Sequence, residues 1–198
     1  MATYADDLAA LLDALGVEQA VLCGHSMGGY IGFEFARRYR ARLRALVLVD
    51  SRAEADTAEG KRAREAAILV AREQGPRAIA AQMLPKMLAA GAAQTMPQVA
   101  DRVRGIMESA PLSGILGALG AMRDRPDSTP LLAELSGIPT LAIVGEQDEL
   151  TPAAMSRSIV DRIPGAVLGV IPNAGHLPPV EQPLATTRVL GEFLDSLH

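Results

Sequence analysis

The amino-acid sequence predicts an α/β protein with a parallel sheet of about four strands and a helical insertion. Short apolar runs alternate with longer segments of helical periodicity, which is the pattern of strands joined by helical crossovers. The alternation stops between residues 51 and 129, where only helical patterns and Gly or Pro breaks occur. We therefore expect residues 1–50 and 130–198 to form the sheet core, and residues 51–129 to form a helical lid over its C-terminal edge.

The first part of the core contains two predicted helices and two predicted strands. A helix is expected over residues 4–15, because leucines recur there at the spacing of one helical face. These leucines are Leu8, Leu11, Leu12 and Leu15. The apolar runs at residues 20–23 and 46–49 have the composition of strands buried on both faces, and Asp50 closes the second. Between them, residues 30–40 form a predicted helix with basic residues at its C-terminal end.

The lid and the second part of the core follow the same logic. Glycine and proline breaks divide the lid into four predicted helices. Their approximate ranges are 57–74, 76–90, 96–109 and 111–123. Strands are then predicted over residues 140–144 and 167–171, and helices over residues 152–162 and 181–197.

Composition and charge restrict the classes of function. The chain has 198 residues, of which 49% are hydrophobic and 21% charged, as in a single globular domain. The net charge of −4 provides no basic field, so we expect no binding to nucleic acid or to an anionic membrane. The single cysteine, Cys23, lies on a strand predicted to be buried and excludes an intramolecular disulfide. The single cysteine and the lack of a signal-peptide pattern at residues 1–7 together predict a reducing, cytoplasmic location.

The strongest chemical signal is the motif Gly24-His25-Ser26-Met27-Gly28. It stands directly after a predicted strand and directly before a predicted helix. A serine at such a turn takes a strained backbone conformation, and its flanking glycines are expected because no side chain fits there. The turn exposes the serine hydroxyl above the sheet, and the helix N-terminus favours negative charge that develops beside it. The motif therefore predicts Ser26 as a nucleophile.

A serine hydroxyl needs a base, and the chain has three histidines. His198 is the last residue, where chains fray. His25 lies inside the turn and is too constrained to reach the Ser26 hydroxyl, so we interpret it as a structural or pocket-wall residue. His176 remains, in a loop directly after the fourth predicted strand, and is the predicted base.

The base in turn needs a carboxylate that orients it. Asp148, in the loop after the third predicted strand, is the preferred candidate. Glu146 in the same loop is one alternative, as a loop or capping charge. Asp50, after the second strand, is another: an acid of this kind can sit there, although such an aspartate can also bind only loop amides. The order serine, aspartate, histidine along the chain is the one expected for a hydrolase with a strand–turn–helix serine motif.

Four segments carry a resemblance to a known family: GHSMGGY, LVLVDSRAEADT, GEQDELTP and NAGHLPPVEQP. The chain resembles the α/β-hydrolase superfamily, in particular small bacterial esterases, enol-lactonases and cofactor-free haloperoxidases. The resemblance implies a serine hydrolase of small carboxylic esters or lactones that needs no cofactor or metal. It also implies that the Met27 N–H is one donor of the oxyanion hole. We expect four further residues to contact the substrate. They are His25, Met83, Leu112 and Leu177.

The chain also departs from the family pattern. Family members place on the order of seventy residues ahead of the segment that starts here, including a His-Gly loop with the second oxyanion donor. Without these residues the strand at 20–23 becomes an apolar edge strand, which predicts self-association. We also expect a weakly folded chain with low esterase activity, because loss of one oxyanion donor slows catalysis.

Other functions remain open on the sequence. The same three residues support cofactor-free perhydrolysis or halogenation, and also hydrolysis of carbon–carbon bonds in diketones. A chain that keeps the catalytic residues without a complete oxyanion hole is alternatively a non-catalytic interaction module.

Overall fold

The computed structural model describes residues 1–197, and His198 lies outside the described residues. Four strands form one parallel sheet in the order β1-β2-β3-β4, so the predicted α/β architecture is confirmed. The strands are β1 (Ala20–His25), β2 (Leu43–Val49), β3 (Thr140–Gly145) and β4 (Val167–Ile171). Because all four run in the same direction, their carboxyl ends meet at one edge of the sheet. Loops that follow the strands are therefore brought together there.

Ten α-helices accompany the sheet among the described residues. Residues 51–129, which we call the helical block, contain five of them and no strand, and two stretches of 3₁₀-helix lie outside the α-helices. The helices are α1 (Ala2–Ala14), α2 (Met27–Tyr39), α3 (Ala58–Gln74), α4 (Pro76–Met87), α5 (Ala92–Thr95), α6 (Pro97–Ser109), α7 (Leu112–Arg123), α8 (Ala153–Val160), α9 (Pro178–Glu181) and α10 (Pro183–Asp195). The helix predicted over 181–197 is divided at Gln182, because Pro183 begins a new helix there.

The core consists of two apolar layers, one on each face of the sheet. Alternate residues of β2 point to opposite faces, as a strand requires. Leu46 and Leu48 pack with α1, α2 and α8 on one face. Val47 and Val49 pack with β3 and with Phe193 of α10 on the other face.

The buried face of α1 differs from the prediction. Leu12 is buried as predicted and Leu8 packs against the same cluster, but Leu11 and Leu15 are 52% and 65% exposed. The rest of the buried face comes from Ala5 and Ala9. The buried stripe of α1 therefore overlaps the leucine stripe only in part. Helical periodicity alone could not show this, because it counts the leucines without weighing close approach.

The strand β1 lies at the edge of the sheet and pairs only with β2 in the part of the chain that the structure describes. The interpretation of residues 20–23 as buried on both faces is therefore wrong, and Cys23 is exposed. A continuous apolar run is typical of a strand buried on both faces, but the open edge leaves the side chains of β1 partly in water. The position of β1 at the sheet edge agrees with the second expectation, that residues 20–23 form an edge strand without the segment that family members place ahead of them.

This open edge leads to a prediction for the 198-residue chain, which we expect to self-associate, since unpaired strand edges pair with other chains. Sedimentation velocity under reducing conditions should show dimers or larger species, and Cys23→Lys should shift the chain towards monomer by placing a charge on the edge. The Cys23→Ser variant serves as the control for the thiol. A wild-type chain that sediments as a single monomeric species would contradict the prediction.

None of the helices within residues 1–197 combines the length and the apolar character that a crossing of a lipid bilayer requires.

Candidate active site

The serine motif forms the turn between β1 and α2. Ser26 has φ 51° and ψ −111°, a backbone conformation with positive φ that residues other than glycine rarely adopt. Its N–H donates to the Val49 carbonyl at 2.8 Å, and its carbonyl accepts the Ser51 hydroxyl at 3.0 Å. These hydrogen bonds to the end of β2 hold the strained turn in place.

The glycines around the turn have different roles. A Cβ atom on Gly24 would lie 2.3 Å from the Gly28 backbone, and one on Gly29 would lie 2.2 Å from the Ser51 hydroxyl oxygen. A Cβ atom on Gly28 would meet nothing within 4 Å. The expectation that no side chain fits beside the serine therefore holds for Gly24 and is wrong for Gly28. The close approach that requires glycine is between β1 and the first turn of α2.

This difference predicts unequal effects of two matched substitutions. Gly24→Ala should lower the free energy of unfolding by at least the roughly 1–3 kcal/mol typical of overpacking, because its Cβ meets backbone that cannot yield. Gly28→Ala should change it by no more than about 1 kcal/mol, since the site is open and alanine favours the helix. Urea denaturation of both variants provides the measurement. Equal losses in the two variants would show that the turn is not limited by the Gly24 contact.

Three of the predicted residues converge at the carboxyl edge of the sheet. The Ser26 Oγ lies 2.9 Å from the His176 Nε2, and the His176 Nδ1 lies 2.8 Å from the Asp148 Oδ2. His176 and Asp148 are buried, whereas Ser26 is partly exposed. They come from loops that follow β4 and β3, and from the turn that follows β1.

The surroundings of Asp148 favour its ionised form. Its Oδ1 accepts the N–H groups of Leu150 and Thr151, and its Oδ2 also accepts the Thr151 hydroxyl at 2.5 Å. Burial by itself raises the pKa of Asp148, but the hydrogen bond and charge of His176, with the hydrogen bonds of Thr151, hold that pKa below its usual value. Asp148 is therefore a fixed carboxylate beside the imidazole.

The two alternative acids have other partners. Glu146 is exposed and accepts the N–H of Asn173 at 3.2 Å. Asp50 is fully buried with φ 47°, and its Oδ1 accepts the Gly145 N–H at 2.9 Å, so it binds a loop amide as one interpretation of the sequence held. Burial raises the pKa of Asp50 to about 8, and the nearby charge of Asp148 adds to this against the Gly145 hydrogen bond.

Asp50, Asp148 and His176 are also the one group among the described residues whose types and spacing could ligate a metal. One potential ligand atom of each lies within 4.8 Å of the others. The Nδ1 of His176 and the Oδ2 of Asp148 are already hydrogen-bonded to each other at 2.8 Å. We therefore assign these atoms to the hydrogen-bonded arrangement.

His25 supports residues 172–177, the loop between β4 and α9 that carries His176 and that we call the histidine loop. Its Nε2 donates to the His176 carbonyl at 2.6 Å, and the two ring centroids lie 5.0 Å apart. Burial lowers the pKa of His25, which keeps the ring neutral at pH 7. This contact fits the structural interpretation of His25. The sequence holds no signal for it, because residues 25 and 176 meet only in the folded chain.

The remaining predicted contact residues are dispersed. Met27 is the first residue of α2, so its N–H has no acceptor within its own helix. Met83 is partly buried on α4, and Leu112 is exposed at the start of α7. Leu177 packs against the apolar core of the helical block. The oxyanion role of Met27 therefore stays a prediction, and so do the substrate contacts of Met83, Leu112, Leu177 and His25.

A cavity of about 410 Å³ lies beside the acid loop. Its lining residues come from the helical block and from the loop after β3. They are Pro85, Lys86, Leu88, Ala90 and residues 146–149.

One residue near the site was missed by the sequence analysis: Glu181 is a buried acid five residues after His176, and its position between prolines was the available signal.

Comparison with known proteins supports the same fold. A family model described as the alpha/beta hydrolase fold matches residues 1–183. The chain is 30% identical over 179 residues to 3-oxoadipate enol-lactonase 2 of Acinetobacter baylyi, covering 90% of this chain and 65% of that protein. The chain thus spans slightly less than two thirds of that relative.

Solved structures agree. A thermophilic esterase from Thermogutta terrifontis superposes with a TM-score of 0.94 at 42% identity, over 98% of this chain and 71% of that chain. The enol-lactonase from Burkholderia xenovorans LB400 superposes with a TM-score of 0.87 at 27% identity, over 96% of this chain and 71% of that chain. Sequence, sheet order and superposition thus agree over nearly the whole length described, and the chain belongs to the α/β-hydrolase family.

Proposed function

We propose that the chain is a serine hydrolase of small carboxylic esters or lactones. The observation that carries this proposal is the continuous line from Ser26 through His176 to Asp148, with distances of 2.9 and 2.8 Å. Nucleophile, base and orienting acid within hydrogen-bond distance are the arrangement that acyl transfer requires. The similarity to an esterase and to enol-lactonases supports esters and lactones as the substrate class.

The geometry supplies the direction of proton transfer. Because Asp148 is ionised, the His176 Nδ1 keeps a proton and donates a hydrogen bond to the carboxylate. The Nε2 is then free to accept the proton of the Ser26 hydroxyl. The Ser26 Oγ attacks the substrate carbonyl carbon, and the carbonyl π electrons move to oxygen to form a tetrahedral oxyanion.

The second half of the reaction restores the enzyme. The Met27 N–H, at the positive end of α2, donates to the oxyanion in this proposal, since the first N–H groups of a helix have no acceptor within the helix. When the tetrahedral intermediate collapses, the bond to the alcohol oxygen breaks, and that oxygen takes the proton from His176. A water molecule then gives a proton to His176 and attacks the acyl carbonyl carbon. When this second tetrahedral intermediate collapses, the bond to the Ser26 Oγ breaks, the Oγ takes the proton back from His176, and the carboxylic acid is released.

A covalent probe tests the proposed nucleophile directly. Diisopropyl fluorophosphate should add one phosphoryl group to the wild-type chain, and peptide mapping should locate it on Ser26. Hydrolysis of p-nitrophenyl acetate should disappear in proportion to labelling and be insensitive to EDTA. The exposed Ser113 on α7 serves as the internal control and should stay unmodified. Labelling elsewhere, or no loss of turnover on labelling, would overturn the proposal.

We further propose that the helical block acts as the lid of the site. Its residues Leu88 and Ala89 contact the loop that carries His176, since a Cβ atom on Gly175 would lie within 2.5 Å of both. The block therefore sits at the carboxyl edge of the sheet, beside the proposed nucleophile and base.

The lid proposal predicts a change in acyl-chain preference. Met83→Ala or Leu112→Ala should change the ratio of kcat/KM for p-nitrophenyl butyrate and acetate by about fivefold or more, because removing apolar surface at a pocket costs about 1–3 kcal/mol of discrimination. Leu69→Ala, at an exposed position on α3, is the matched control. Initial-rate kinetics on esters of increasing chain length provide the measurement. Unchanged ratios in both lid variants would show that these side chains do not select the acyl group.

A further inference from the structure

Glu181, the last residue of α9, connects two parts of the molecule through backbone amides. The residue is only 5% exposed. Its Oε2 accepts the N–H groups of Gly175 and Leu177 at 2.9 and 3.2 Å, and these residues flank His176. Its Oε1 accepts the N–H of Ala89 in the helical block at 2.6 Å. One carboxylate thus holds the histidine loop and the block together.

The same two segments are in backbone contact. A Cβ atom on Gly175 would lie 2.4 Å from the Ala89 nitrogen, and one on Gly145 would lie 1.9 Å from the Gly175 carbonyl oxygen. The histidine loop is therefore confined between the end of β3 and the helical block. A shift of the loop requires a shift of one of these neighbours.

Apolar packing joins the segments as well. Leu177 and Val180 pack against the buried apolar cluster of the helical block. The cluster consists of Leu88, Ala89, Ala92, Ala100 and Val103. The segment that follows His176 is therefore part of the core of the block as well as of the sheet domain.

The amides alone compensate the charge of Glu181. None of the ion pairs found between described residues includes it. A buried carboxylate that loses a donor pays the cost of an unmade hydrogen bond. If the block moved away from the loop, the Oε1 would lose the Ala89 donor. When the block packs against the loop, the Ala89 N–H therefore favours the orientation of Glu181 that holds the histidine loop.

We propose that Glu181 is a positioning residue that couples the packing of the helical block against the histidine loop to the orientation of His176. The inference rests on the proposed function, because it assigns His176 the role of base. It extends that function by making activation of Ser26 depend on a contact with residue 89, on the far side of the histidine loop.

Two substitutions break the connection from opposite sides. Glu181→Gln keeps the size of the side chain, but its single amide oxygen can serve the histidine loop or Ala89 and not both. Ala89→Pro removes the N–H that the block donates and puts the ring Cδ in its place, so it also pushes the block away from the Glu181 carboxylate. The preceding residue, Leu88, already has φ −119° and ψ 157°, the extended conformation that a residue before proline adopts. Glu192→Gln, at an exposed position on α10, is the matched control.

The experiment measures the rate at which diisopropyl fluorophosphate modifies Ser26 in the full chain. Glu181→Gln and Ala89→Pro should each slow it by about tenfold or more, since small misplacements of a catalytic group are costly. The proton NMR resonance of the His176 Nδ1–H should shift in both variants and stay unchanged in Glu192→Gln. Circular dichroism melting identifies any variant that fails to fold, and the other then decides.

The outcomes separate the inference from the proposed function. A wild-type chain that does not react at Ser26 would contradict the proposed function, whatever Glu181 does. A reactive wild type, with folded variants that react at the wild-type rate and keep the wild-type resonance, would overturn the coupling alone.

Discussion

Ser26→Ala is expected to abolish hydrolysis of p-nitrophenyl butyrate above the uncatalysed rate, because removal of a serine nucleophile leaves no atom to form the acyl-enzyme. For a complete serine hydrolase such a loss is on the order of 10⁶-fold in kcat, and it should be smaller here by the contribution of the missing oxyanion donor. The fold should remain, since the Ser26 hydroxyl forms a hydrogen bond to His176 alone among the described side chains, while hydrogen bonds of the Ser26 backbone hold the turn. Initial rates, together with circular dichroism to verify folding, provide the measurement. Full turnover in the variant would show that the reaction uses another group.

The acid can be tested in the same assay against its neighbour in the loop. Asp148→Asn should lower kcat by about 10⁴-fold, because an amide no longer holds the Nδ1 tautomer that frees Nε2 to act as a base. Glu146→Gln is the matched control and should keep nearly wild-type turnover, since Glu146 bonds only to the Asn173 N–H. The opposite order of effects would move the role of orienting acid to Glu146.

Asp50→Asn is expected to stabilise the protein, increasingly so as the pH rises. Asp50 is fully buried, and its Oδ2 has no hydrogen-bond partner among the described residues. An asparagine oxygen can still accept the Gly145 N–H, and its amide group can face the Asp148 carboxylate, which lies within 4.8 Å. The substitution thus keeps the loop contact and removes a buried group that ionises at high pH.

The direction of the pH effect follows from the raised pKa of Asp50. Burial raises that pKa to about 8 in the folded chain, from an ordinary value of 3.8. Below about pH 4 both states are protonated, and the wild type bears no penalty. Between about pH 4 and pH 8 the unfolded state releases the proton and the folded state keeps it, so wild-type stability falls as the pH rises.

The magnitude and the control complete this prediction. One pKa unit corresponds to about 1.4 kcal/mol, and the pKa rises by about four units, so the stability gain of the variant at pH 8 should be at most about 5–6 kcal/mol. Urea denaturation at pH 5, 7 and 9 provides the measurement, and Glu192→Asn controls for loss of an exposed carboxylate. A stability difference that is the same at every pH would show that Asp50 does not titrate as its burial implies.

Local patterns were sufficient for most of the architecture. The strand predicted over residues 167–171 has the observed bounds of β4, and the helical block contains helices close to the predicted ranges. Such features depend on periodicity, chain breaks and turn chemistry, which neighbouring residues determine. The strained backbone of Ser26 belongs to the same class, because it follows from a strand–turn–helix motif a few residues long.

Patterns were less reliable wherever two distant segments meet. The leucine spacing predicts one apolar face for α1, yet only Leu8 and Leu12 of that face pack on the core, together with Ala5 and Ala9. Gly28 was expected to lack space, but its neighbour Gly24 makes the close contact. Each outcome depends on how closely a second element approaches, and no local pattern contains that distance.

By itself the sequence determined the order of strands and helices, the serine turn, and a short set of candidate bases and acids. Only the tertiary structure decided among Asp50, Glu146 and Asp148, because all three follow strand ends and only one lies 2.8 Å from the His176 Nδ1. It also revealed Glu181 between Ala89 and the histidine loop. The physical reason is that hydrogen bonds act over about 3 Å, a separation that the folded loops set and that chain spacing leaves undetermined.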